Sequence, residues 1–136
     1  MANDLTISFS FLAQVSGGPQ LSVASPTLTV KAYDMIQQTL DPPVGGAGPV
    51  PVDVGFPNAT VPQLVAIVAS QYSSDPVKHV SYEVGGAAPP RQLDAPHLFL
   101  GTGAASFLGN PAPNKLTFTN ASDAPVTVQI LVGRSG

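Results

Sequence analysis

The sequence predicts an all-β fold: a single antiparallel β-sandwich, jelly-roll-like, of roughly nine or ten short strands. Three observations carry that expectation. Apolar and hydroxyl-bearing residues alternate with period two in segment after segment, which puts one set on each face of a sheet. Proline (15) and glycine (13) are abundant in the 136 residues, and they favour short strands joined by turns over helices. Turn signals recur about every ten residues. An open barrel is the alternative that fits the same signals.

The elements follow in order. Leu5, Ile7, Phe9 and Phe11 alternate with Thr6, Ser8 and Ser10, a strand with one apolar and one hydroxylated face. Gly17-Gly18-Pro19 ends it. Leu21–Val23 is a short second strand, broken at Ser25-Pro26, and Leu28, Val30 and Ala32 mark a third. Tyr33–Leu40 reads as a strand, although Met35, Ile36 and Leu40 also fit a helical turn. Gly45-Gly46-Ala47-Gly48 makes Val44–Pro49 a loop. Val50, Val52 and Val54 form a strand that Pro51, lacking a donor, assigns to a sheet edge. Gln63–Ser70 is the most continuous apolar run. Its β-branched residues and bounding turns favour a strand buried on both faces over a two-turn helix.

Val77–Val84 carries Val80, Tyr82 and Val84 in alternation, with His79 read as part of that strand. Arg91–Asp94 is polar with Leu93 inside, His97–Leu100 is a short strand, and Ala104–Leu108 is a further candidate. Lys115–Val132 is the clearest signal. Leu116 and Phe118, then Val126, Val128 and Ile130, alternate with polar residues on either side of the turn formers Asn120–Pro125. This reads as a β-hairpin that closes the sandwich. One domain is expected over residues 1–136, with 1–4 and 133–136 as extended ends.

Composition narrows the function. Cysteine is absent, which removes disulfides, thiolate metal sites and thiol nucleophiles. Charged residues make up 10% of the chain, against about 25% in typical soluble domains. A surface built from Ser, Thr, Asn, Gln and small apolar residues suits a subunit that hides much of itself in an assembly. The net charge is −3 with five Lys and Arg and no basic run, so direct nucleic-acid binding is not expected. No apolar run has membrane-spanning length, and Met1–Ser8 lacks the basic and apolar regions of a signal peptide. Synthesis in a cytoplasm without export is the expectation.

Chemical motifs are weak throughout. Gly45–Gly48 lacks the Lys-Ser/Thr of a phosphate loop, and Gly101-Thr102-Gly103-Ala104-Ala105-Ser106 has Ser106 where a dinucleotide motif needs glycine. His79 and His97 are the only histidines and have no metal-ligand spacing, although Asp94 precedes His97 by three residues. No Gly-x-Ser-x-Gly elbow presents a nucleophile, and Glu83 is the sole glutamate. Asn58-Ala59-Thr60 and Asn120-Ala121-Ser122 match the glycosylation pattern and read as turns. Tyr33, Tyr72 and Tyr82 lack the spacing of a sugar-stacking platform. No enzyme activity, cofactor or metal is expected. A jelly-roll metal enzyme of the cupin type would need several histidines on one sheet face.

The opening Leu5–Phe11, the middle segments Val50–Gly55 and Leu64–Ser70, and the ending Leu116–Val132 together resemble small virion structural proteins of tailed bacteriophages, of the capsid-decoration or head-associated kind. The resemblance spans most of the chain and is one of pattern. The proline-rich loops Asp41–Pro51 and Gly85–Pro90 depart from a compact version. It implies a non-enzymatic subunit, located in the virion, that binds the major capsid protein or other virion subunits and stabilises the shell. It also implies a homo-oligomer, with a trimer favoured. Contacts are then expected at the N-terminal segment (Asn3, Asp4) and in the first proline-rich loop (Pro42, Pro43, Val44, Pro49). The alternative is a tail or fibre component, or a receptor- or glycan-binding sandwich, with ligand on its loops.

Overall fold

The computed structural model describes residues 5–8, 11–14, 16–23, 27–43, 48–54, 60–85, 89–108 and 115–134. Twelve strands and one helical turn run through them in chain order. They are β1 (Leu5–Ser8), β2 (Phe11–Gln14), β3 (Gln20–Val23), β4 (Thr27–Val30), β5 (Ala32–Leu40), β6 (Val50–Asp53) and β7 (Pro62–Ala69). Then come β8 (Val80–Val84), β9 (Arg91–Gln92), β10 (His97–Leu100), α1 (Thr102–Ala105), β11 (Lys115–Asn120) and β12 (Val126–Arg134).

The last eight strands form two four-stranded sheets, ordered β10-β7-β12-β5 and β6-β11-β8-β9. Every pairing is antiparallel. The partners β5 with β12, β6 with β11, β7 with β10 and β8 with β9 nest like the two arms of one long hairpin. The pairings β12–β7 and β11–β8 then wrap that hairpin into a sandwich. This winding is the jelly-roll order.

Alternation explains the core. β5 and β12 turn their even-numbered residues inward, and Leu40, Val126, Val128, Ile130 and Val132 join Val65 and Ile67 of β7. From the other sheet come Val52, Val80, Tyr82, Val84, Leu116 and Phe118, all in the same cluster. Burying each large side chain stabilises by roughly 1.5–3 kcal/mol.

Several sequence expectations change. β11 and β12 do not pair with each other, so the expected closing hairpin is absent. β11 pairs with β6 and β8, and β12 with β5 and β7. Alternation reveals which face of each strand is apolar, and two apolar faces can meet on one sheet or across a core. Here they meet across it. Asn120 makes the corner: its buried amide donates to the carbonyls of Leu40 and Ala124, both at 2.9 Å. Its Oδ1 accepts from the Ser122 backbone N–H at 2.9 Å, the turn role expected of this residue.

The candidate strand Ala104–Leu108 is instead α1 and the turn after it, entered through Gly101 at φ +86°, with Ala105 and Leu108 buried. His79 precedes β8 and bonds through Nδ1 to the Asp75 carbonyl oxygen at 2.8 Å. Gly133 and Arg134 continue β12, and residues 135–136 lie outside those described. Tyr33–Leu40 is a strand throughout, and β6 with Pro51 lies at a sheet edge as expected. β7 is an interior strand whose second face is only partly covered, Ala66 and Val68 being half-buried.

The first four strands lie outside the jelly roll. β1 pairs with β4 and β2 with β3, giving two two-stranded ribbons that precede β5 in the chain, β1–β4 the proximal and β2–β3 the distal one. The register opposes Ser8 to Thr27 and then Phe11 to Val23.

Candidate functional site

The β10-β7-β12-β5 sheet has an outer face that carries no charge. The register aligns Leu98, Ala66, Leu131 and Met35 as one apolar row across all four strands. Leu98 is 47% exposed and Met35 60%. The next row is Val68, Gln129 and Gln37, and the Gln129 amide donates to the Gln37 Oε1 at 3.2 Å. Beyond it, the Thr39 and Thr127 hydroxyls lie 3.2 Å apart, and Ser70 Oγ accepts from the Thr127 backbone N–H at 3.0 Å. A shallow groove of about 190 Å³ runs between Met35, Ala66, Val68, Gln129 and Leu131. One hydrogen bond joins the two glutamine amides and one the two threonine hydroxyls, while the row Leu98–Ala66–Leu131–Met35 presents only apolar side chains.

On the other side of the apolar row, the proximal ribbon covers part of the sheet: Leu64 and Gly133 lie under β1 and β4, while Tyr33 of the same row is 54% exposed. A Cβ at Gly133 would stand 2.9 Å from Val30 Cγ1 and 3.2 Å from Ile7 Cδ1, so glycine is what permits the approach. Leu64 and Val30 are 3% and 1% exposed as a result. The junction is tied by the Lys31 backbone N–H donating to the Arg134 carbonyl at 2.9 Å, and by an ion pair between Arg134 and Asp34.

In the distal ribbon the described residues from Ser16 to Leu21 are exposed, with Leu21 at 62%. The register sets Ala13 opposite Leu21 and Gln14 opposite Gln20. Residues 5–30 contain no Asp, Glu, Lys, Arg or His. Charge is concentrated elsewhere, as in the exposed Lys78–Asp123 pair at 3.0 Å.

One titratable cluster bridges the two sheets. Tyr82 of β8 is fully buried, and its hydroxyl lies 2.6 Å from His97 Nδ1 on β10. Burial pushes the Tyr82 phenol up, opposed by the nearby Arg91 charge. Burial pushes His97 down, opposed by Asp94, whose carboxylate lies 4.0 Å from Nε2. Arg91 sits over the rings of Phe99 and Phe107, 5.8 and 5.2 Å from their centroids. The cluster is a polar tie between sheets, with the phenol ring enclosed. Among the described residues, no group of three or more His, Asp or Glu converges on a metal position. No helix among them is long and apolar enough to cross a membrane.

Asn3, Asp4 and Val44 lie outside the described residues. Pro42 is half-buried, and Pro43 and Pro49 are exposed. They follow the Leu40 end of β5, whereas the ribbon joins at Ala32. The ends of that strand are roughly 25 Å apart. Sequence reasoning missed the outward row Leu98–Ala66–Leu131–Met35. The available signal was the long stretch without charge at the N-terminus, together with uncharged residues at every second position of β5, β7 and β12. Family models, curated proteins and solved structures provide no match to the chain.

Proposed function

We propose that this protein is a non-enzymatic structural subunit of a tailed-phage virion, one that binds capsid subunits and stabilises the shell. The observation that carries the proposal is the uncharged outer face of the β10-β7-β12-β5 sheet, with Leu98 and Met35 exposed in its apolar row. Such a surface suits permanent association, because burying it desolvates no charge. The sequence resemblance supplies the virion setting, and the jelly-roll winding is compatible with it. Attachment at many equivalent positions on a shell would multiply a modest contact.

Sedimentation of the purified protein with assembled phage shells, followed by imaging of the particles, tests this reading. Saturable binding at a regular surface position supports it. Failure to bind shells, or density only in the tail, overturns the shell role. The competing reading, a glycan-binding module, draws on the open cleft of Arg91, Pro96, His97, Leu98 and Phe99. A glycan array that responds and loses its signal on Arg91→Ala would favour it.

A further inference from the structure

We infer that β5 is a docking edge for a second copy of this chain: the two β5 strands pair antiparallel about a two-fold axis at Ile36, with Lys31 of each copy opposite Asp41 of the other. Among the described residues β5 pairs with β12 on one side only, so it ends its sheet. On such a strand every second residue leaves its N–H and C=O unpaired, and that row is a template for another strand. The other three sheet edges are blunted. β6 and β10 are four residues long, β9 is two, and β6 carries Pro51. β5 runs nine residues without proline. Its single charge, Asp34, is engaged by Arg134 of its own chain.

The strand and its flanks are complementary to themselves. Opposed residues in an antiparallel pair share one hydrogen-bonding class, so a two-fold pairing must be centred on a residue. Centring on Ile36 matches all nine residues from Ala32 to Leu40. It sets Met35 beside Gln37, and it brings the Gln38 amide, a donor, opposite the Asp34 carboxylate. The same register places Lys31 against Asp41 at both ends. Both residues are exposed, and among the described residues neither is in an ion pair within its own chain. Centring on Met35 instead faces Lys31 with Thr39, and centring on Gln37 faces Asp41 with Tyr33; each leaves strand ends overhanging. Full overlap and charge pairing thus select one register. Opposite charges across a contact fix register and disfavour wrong ones.

Nine paired residues make about eight to ten main-chain hydrogen bonds, within the roughly 5–15 of a typical protein–protein interface. A contact of this kind uses the same patch on both copies and closes at two. It builds a dimer, where the virion resemblance implies a trimer. Opposed side chains in an antiparallel pair lie on the same face, so the two uncharged outer faces become one continuous surface across eight strands. The inference names a partner for the structural-subunit reading without depending on it. It is tested on the purified chain with no shell present, so either can fail while the other stands.

Sedimentation equilibrium is run on the wild type, on Lys31→Glu, on Asp41→Lys and on the double variant that exchanges the two charges. Both positions are exposed, so circular dichroism should report an unchanged fold. The wild type is expected to dimerise. Each single variant opposes like charges at both ends of the pair and should raise the dimer Kd roughly tenfold or more at low salt. The two variants change the net charge in opposite directions, so a general charge effect would weaken one dimer and strengthen the other. The double variant should return to near the wild-type Kd, and an equal mixture of the two single variants should form a mixed dimer tighter than either alone. A monomeric wild type overturns the inference. So does a wild-type dimer whose Kd neither single variant moves, which would place the contact on another surface. A double variant as weak as the single ones overturns it equally.

Discussion

The sandwich and the ribbon are written in the same alternating pattern and differ in what lies against it. Along β12, the inward residues Val126, Val128, Ile130 and Val132 are 0–2% exposed, because the second sheet faces them. Along β3, Leu21 sits in the same kind of alternation and is 62% exposed. A period-two pattern encodes an apolar face; burial requires a second surface. The sandwich finds that surface within the chain, whereas Leu21 in the distal ribbon stays exposed. Folding stability should therefore reside in the sandwich.

The sharpest break of that division is a paired truncation. Phe118→Ala removes a ring that is fully buried against Tyr82, whose centroid is 5.6 Å away. The loss should be about 3–5 kcal/mol of folding stability, read from the denaturant midpoint. Leu21→Ala, measured at concentrations too low for association, should stay within about 0.5 kcal/mol of wild type. A large loss at Leu21 would mean that the ribbon belongs to the folding core.

Asn120→Ala comes next. The buried amide links the end of β11 to the Leu40 carbonyl in the opposite sheet, and its removal takes one donor from that carbonyl and one from the Ala124 carbonyl, which keeps the Ser122 hydroxyl at 3.0 Å. A loss of about 1–3 kcal/mol is expected, and Asn120→Asp should not rescue it, because a carboxylate cannot donate to those carbonyls. Thermal melts of the two variants decide the point.

Gly133→Ala tests the boundary between the two regions. The added methyl meets the short, stiff Val30 side chain at 2.9 Å, and Val30 has little room to give. Overpacking of this kind costs about 1–3 kcal/mol. Its particular signature is local: the Lys31 amide, bonded to the Arg134 carbonyl, should exchange faster while amides in β11 stay protected. Uniform loss of protection would instead place the ribbon base inside the cooperative unit of the sandwich.

What the sequence disclosed follows the same line. Strand positions and inward residues were legible, because Leu116, Phe118, Val126, Val128 and Ile130 carry the period directly. Pro51 marked an edge because a missing donor has only one place in a sheet. Pairing partners were not legible: Asn120–Pro125 looks the same as a hairpin turn and as a corner between sheets, and only the long-range bond to Leu40 separates them. α1 was hidden by its small residues, which carry no period. The candidate surface was half visible. The uncharged stretch at residues 5–30 stands in the sequence, but the row Leu98–Ala66–Leu131–Met35 draws on four segments and exists only once their register is known.

The smallest expected effect lies in the polar tie between the sheets. Burial lowers the proton affinity of His97, and the Arg91 charge acts in the same direction while Asp94 acts against it. The Tyr82 phenol, pushed up by burial, keeps its proton, and a neutral imidazole with Nδ1 unprotonated accepts its O–H hydrogen bond. Above the ordinary value of 6.5, both folded and unfolded chains carry a neutral imidazole and the tie is intact. As pH falls through 6.5, the unfolded chain takes up a proton that the folded chain still refuses, so stability declines until the folded group protonates as well. With the side chain 22% exposed, solvent shares the load and the decline should be shallow. His97→Gln preserves an acceptor for the phenol and cannot titrate, so its denaturant midpoint should lose that dependence between pH 7 and pH 5 relative to wild type. An identical profile in the two proteins would show that the tie between the sheets is held by packing around Tyr82 alone, and that the sandwich owes nothing to the protonation state of His97.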